Sequence, residues 1–91
     1  MAITVIFELP RMSAAQYDRA LKQLEAKGEG APKGRLYHVA SPSQDGWYVL
    51  DVWDSPENLD RFGKVLMPIL SGVGVQPPVP KVLPTHNIIK G

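Results

Sequence analysis

At 91 residues the chain has room for one hydrophobic core and no second domain, since a globular domain this short buries only about 60–65% of its extended-chain surface. Hydrophobic residues at 44% and charged residues at 21% exclude the composition of a disordered segment, and a net charge of +1 from interspersed acids and bases leaves no basic stripe for nucleic acid. The absence of cysteine excludes a disulfide framework, a thiolate nucleophile and a zinc finger.

The N-terminus runs from Met1-Ala2 straight into a strand pattern, without a basic segment and apolar run, and no window approaches the ~20 apolar residues of a membrane span. A cytoplasmic protein with no membrane partner is expected. Ile3, Val5, Phe7 and Leu9 alternate with Thr4, Ile6 and Glu8 before Pro10, which predicts a first strand over Ile3 to Leu9. Ser13-Ala14-Ala15-Gln16 then has the form of a capping box, flanked by Met12 and Tyr17 as a hydrophobic staple. Tyr17, Ala20, Leu21 and Leu24 recur at helical spacing with charges opposite them, so a first helix should run to about Lys27.

Residues 28–34 hold three glycines and a proline and predict a loop. These glycines follow a helix and precede a strand, the reverse of a phosphate-binding turn. Arg35 to Ala40 and Trp47 to Trp53 have strand composition, and the turn-forming residues between them suit an antiparallel hairpin. Ser55-Pro56-Glu57 opens a second helix, with Leu59, Phe62, Leu66 and Ile69 as its apolar stripe. Pro68 falls inside that stripe and predicts a kink or a short final turn before Gly72. After a proline-rich connector, Lys81 to Ile89 reads as a fourth strand, held to a sheet edge by Pro84.

The order is β-α-β-β-α-β over residues 1–91 as a single domain. The expected fold class is therefore α+β and ferredoxin-like, a four-stranded antiparallel sheet with two helices on one face. The predicted third strand is apolar on both sides, Trp47, Val49 and Trp53 on one and Tyr48, Leu50 and Val52 on the other. Two helices cover only one sheet face. Tyr48, Leu50 and Val52 are assigned to the helices, leaving Trp47, Val49, Asp51 and Trp53 on an open face that a second copy should cover, because small monomers rarely expose large apolar patches. A monomer with one tryptophan under the proline-rich connector is the plainer alternative.

The segment Trp47 to Leu59, WYVLDVWDSPENL, resembles the third strand and helix start of the antibiotic biosynthesis monooxygenase-like proteins of the dimeric α+β barrel superfamily. The chain as a whole, with its closing His86-Asn87-Ile88-Ile89, is also similar to a group of small actinobacterial proteins. The resemblance implies a homodimer, and it implies that Trp53 faces a pocket. Members of the superfamily range over cofactor-free monooxygenases, haem-degrading enzymes, isomerases, cyclases and ligand binders, so fold alone does not choose a reaction. Phe62, Gly63 and Lys64 stand where the haem-degrading branch has a helical histidine, and Thr4, Ile6 and Glu8 where it has a strand-one asparagine. This argues against haem.

Asp51 and His38 are the candidate catalytic residues. A carboxylate among apolar groups and an imidazole in mid-strand are the means of proton transfer, while the plainer reading pairs Asp51 with an arginine or a tyrosine, or places it at the dimer rim, and makes His38 a hydrogen-bonded structural residue. If the hairpin register is right, His38 and Asp51 share one face with Trp53, and a one-residue slip would separate them. Trp47, Val49 and Trp53 are expected to wall a substrate pocket, with His86 and Asn87 as further binding candidates. His38 and His86 should lie on opposite sheet edges, and their spacing fits no metal signature. No metal, haem or other cofactor is expected. Two functions follow from these residues: a cofactor-free enzyme, monooxygenase, cyclase or isomerase, on a small apolar, aromatic or polyketide-like molecule, or a non-catalytic ligand-binding or interaction module. A closed cavity of about 300–1,000 Å3 beside these residues would favour ligand chemistry, and solid packing a structural role.

Overall fold

The structure, a computed structural model, describes residues 1–91. Its elements are β1 (Ile3–Pro10), α1 (Ala14–Ala26), β2 (Arg35–Pro42), β3 (Gly46–Trp53), α2 (Pro56–Gly72) and β4 (Lys81–Pro84). The four strands form one antiparallel sheet in the order β2-β3-β1-β4, which is the ferredoxin-like α+β arrangement. No helix is long and apolar enough to cross a membrane.

Local signals set the helix starts. Ser13 caps α1, its hydroxyl accepting from the Gln16 amide while the Gln16 side chain accepts from the Ser13 amide at 2.9 Å. Ser55 caps α2 in the same way on Asn58, with Pro56 in the first turn, where a missing N–H costs nothing. Gln16 also donates to the Val73 carbonyl at 3.1 Å. The start of α1 is thereby tied to the end of α2.

The core lies between the sheet and the helices. Ile3, Val5, Phe7 and Leu9 of β1 are all buried there, with Ala20 and Leu24 of α1 and Phe62, Ile69 and Leu70 of α2. Register then assigns the faces of β3: Val5 pairs with Asp51, Phe7 with Val49, Leu9 with Trp47 and Ile3 with Trp53. Residues paired across strands share a face. Trp47, Val49, Asp51 and Trp53 therefore point toward the helices, and Tyr48, Leu50 and Val52 lie on the open side, the reverse of the expectation from β3 alone. The longer unbroken apolar stripe of β1 decides the matter, because a one-sided cover goes to the face with more buried area.

Two further differences concern proline. α2 continues through Pro68 to Gly72, since Ile69 and Leu70 are buried directly after it and their burial offsets one lost helix bond. β4 stops at Pro84 and does not reach Ile89. Only the Thr85 amide carries the pairing further, donating to the Ala2 carbonyl at 3.1 Å.

Gly34 is the one loop glycine that the packing demands. Its φ is +91°, and a Cβ there would collide with Asp54 and Asn58. Its carbonyl accepts from the Asp54 amide at 2.8 Å, joining the start of β2 to the end of β3.

Candidate functional site

Three elements bring one polar chain into the apolar core. His38 of β2 sits opposite Asp51 of β3, and its Nδ1 lies 2.6 Å from Asp51 Oδ1. From α1, the Tyr17 hydroxyl reaches His38 Nε2 at 2.7 Å. Trp53 Nε1 donates to the other carboxylate oxygen at 3.3 Å. Asp51 is 2% exposed and is the sole buried charged residue. Buried polar groups persist only when paired, and both of its oxygens are.

The bonds define the proton positions. An ionised Asp51 only accepts, so the proton on Nδ1 points to it and Nε2 is left as the acceptor for the Tyr17 O–H. Burial pushes the Tyr17 phenol above its usual range, the Arg35 charge opposes this, and Asp51 and Asp18 add to the rise. At neutral pH Tyr17 is therefore a hydroxyl donor.

Aromatic contacts hold the pieces. The Tyr17 ring is parallel to the His38 ring, within 2° at 6.2 Å, and stacks on Trp47 at 5.2 Å. Trp53, with no exposure, packs against Phe62 at 5.2 Å. The indole Nε1 of Trp47 is buried without a partner.

A cavity of about 50 Å3 opens beside this chain, between sheet and helices. Phe7, Leu9 and Val49 line it from the sheet and Leu21, Leu66 and Leu70 from the helices, and its polar groups are Tyr17, Arg35, His38 and Asp51. Its volume fits a few water-sized groups. A ligand of ordinary size needs α1 or α2 to shift outward.

The structure thus brings His38, Asp51, Val49 and Trp53 together, with Trp47 behind Tyr17. The cavity is on the helix side of the sheet, where the open face was expected to carry it. His86 and Asn87 are exposed beyond β4, at the far edge of the sheet from His38, and do not join the group. No cluster of three or more His, Cys, Asp or Glu is placed to hold a metal. Tyr17 and Arg35 were missed as site residues. Tyr17 carries a hydroxyl within the buried stripe of α1, a signal the sequence does contain.

The open face has its own wide groove of about 840 Å3, between Ile6, Glu8, Tyr48 and Lys81 of the sheet and the connector at Gln76 to Val79. Tyr37, Val39 and Leu50 share this face. Val39 is 56% exposed.

No protein-family model matches the chain, and no curated protein matches it in sequence. Solved structures do. A variant of SnoaB, a cofactor-independent oxygenase from Streptomyces nogalater, aligns over 99% of this chain and 98% of its own, with a TM-score of 0.68 at 9% identity. A proposed antibiotic biosynthesis monooxygenase from Deinococcus radiodurans aligns over 99% and 97%, with a TM-score of 0.60 at 18% identity. Rv0793 from Mycobacterium tuberculosis aligns over 98% and 97%, with a TM-score of 0.58 at 23% identity. At such identities the likeness is one of fold: the chain has the fold of the antibiotic biosynthesis monooxygenase proteins.

Proposed function

We propose that the chain is a cofactor-free enzyme, of the monooxygenase, cyclase or isomerase kind, that takes a proton from a small and largely apolar phenol or enol. The observation that carries this reading is the Tyr17–His38–Asp51 chain, which lines a largely apolar cavity between the sheet and the helices. Fold likeness to a cofactor-independent oxygenase supports it, as context for the site and not as its proof.

The geometry supplies three roles. A substrate hydroxyl that displaces the Tyr17 O–H from Nε2 gives its proton to that nitrogen, and the imidazolium so formed is stabilised by Asp51 across Nδ1. Tyr17, released but still adjacent, donates to the new oxyanion. The electron-rich anion then meets dioxygen or an internal carbonyl, and the protein's own part is the proton transfer and the exclusion of water.

A homodimer through the open sheet face belongs to the same proposal, supported by the exposed or half-buried apolar groups there, Ile6, Tyr37, Val39 and Leu50. A second reading has one specific observation in its favour. A cavity of about 50 Å3 is far below the usual 300–1,000 Å3 of ligand sites, as it would be if the polar chain were a satisfied core network in a binding or interaction module.

Oxygen uptake or isomerisation across a set of phenols and hydroxyanthrones separates the two. The enzyme reading expects turnover that falls about 10²- to 10⁴-fold in His38→Ala. No turnover with any of them, or turnover that His38→Ala leaves intact, would contradict it.

A further inference from the structure

We propose that Arg35 is the anchor for an acidic head group, so that the pocket takes a hydroxyaryl or enol carboxylate in place of a neutral molecule. This rests on the acid–base reading of Tyr17, His38 and Asp51 given above and adds the substrate's charge to it.

The backbone supplies the first argument. Arg35 and His38 are three residues apart, and the period of two in a strand would send them to opposite faces. The ladder is irregular between Arg35 and Tyr37: Arg35 pairs with Trp53, whereas Tyr37 pairs with Val52 and His38 with Asp51. Leu36 is the extra residue, half exposed and unpaired. The bulge returns Arg35 to the helix side, and its side chain lines the same cavity as His38. Bulges serve to re-aim side chains in this way.

The guanidinium supplies the second. It has five N–H donors in a fork suited to carboxylate. One of its nitrogens donates to the Gly30 carbonyl at 3.2 Å. The only Arg–carboxylate pair in the chain is Arg61 with Glu29, which leaves Arg35 without an anion within 4.0 Å. Its contact with Phe62, 5.9 Å from the ring centroid, supplies no anion to the guanidinium. Asp51, the acidic group of the same cavity, is already held by His38 and Trp53, so a guanidinium without a carboxylate partner there is suited to an anionic ligand.

Spacing narrows the ligand. Trp53 and Asp51, the partners of Arg35 and His38 on β3, are two residues apart, about 7 Å along a strand. This backbone spacing is on the scale of one benzene ring carrying an acid at one end and a hydroxyl at the other, which enters the cavity of about 50 Å3 once α1 or α2 shifts outward. The charge of Arg35 also reaches Tyr17, on whose phenol it acts, so both ends of such a ligand have partners.

The probes are 4-hydroxybenzoate and its neutral isostere 4-hydroxybenzamide, titrated by calorimetry and by the His38 ring signals. The acid should bind at least ten-fold more tightly than the amide, and Arg35→Gln should bring the acid to the level of the amide without weakening the amide. Arg35→Lys keeps the charge and stem but loses the fork, and should reduce the preference several-fold; it serves as the test should Arg35→Gln fail to fold. Equal binding of the two probes, or a preference for the acid that survives both substitutions, overturns the proposal while leaving the acid–base reading in place. If neither probe moves the His38 signals, both fall together.

Discussion

His38 stands directly across the β2–β3 ladder from Asp51, and Nδ1 and Oδ1 close to 2.6 Å. This pairing fixes the imidazole tautomer, and with it the direction in which a proton can travel. Long-range 1H–15N spectra should show His38 with its proton on Nδ1 and a downfield signal for that proton. In Asp51→Asn the downfield signal should disappear. A wild-type ring with its proton on Nε2 would reverse the assignment of donor and acceptor.

Tyr17→Phe keeps the ring that stacks on Trp47 and removes only the hydroxyl at Nε2. Unfolding in urea should show a loss of about 1 kcal/mol, the net worth of one hydrogen bond, with turnover falling at least ten-fold. Equal activity would make the hydroxyl a structural partner.

The Tyr17 phenol, raised by burial, also has a signature in pH. A group whose folded value lies above its unfolded value of 10.0 adds stability that is complete below pH 10 and is lost as pH rises through the folded value. Absorbance near 295 nm should show a late tyrosine component, titrating above 10.0. In Tyr17→Phe that late component should be missing, and stability should decline less above pH 10.

Trp53→Ala should destabilise by about 3–5 kcal/mol, the usual cost of emptying a large core site, because the indole is fully buried. Trp53→Phe fills most of the space and removes the donor to Asp51 Oδ2, so about 1–2 kcal/mol should be lost. Equal losses in the two would mean that the hydrogen bond matters more than the volume.

For the dimer, the informative substitutions are on the open face. Val39→Lys or Leu50→Lys should yield a monomer by light scattering with near-native secondary structure, since neither position is in the core. Val49→Lys does not test the interface: Val49 is 7% exposed and faces the cavity, and an unpaired ammonium there should prevent folding. A wild-type monomer at micromolar concentration would contradict the dimer.

Element order and both helix caps were legible because each depends on local chemistry: Ser13 with Gln16, and Ser55 with Pro56. The His38–Asp51 pairing was legible only as one of two registers, since the connector Ser41 to Gly46 left the turn type open. The direction of the β3 faces was not legible. Trp47 to Trp53 is apolar on both sides, and only pairing with β1 tells which side the helices cover. Arg35 was hidden for a related reason, since a bulge at Leu36 changes the parity and no residue type announces it. Tyr17 was placed on the buried stripe of α1, but its partner His38 comes from another element, and a sequence does not show that distance.

In the proposed enzyme, ligands enter between the sheet and the helices, at Tyr17, His38 and Asp51. Titration of 15N-labelled protein with 1-naphthol checks the route. The His38 ring signals and the amides of Tyr17 and Leu21 should shift together and saturate, while those of Val39 and Tyr48 on the open face remain still. Shifts confined to Val39, Tyr48 and the connector at Gln76 to Val79, with the His38 ring unmoved, would contradict it.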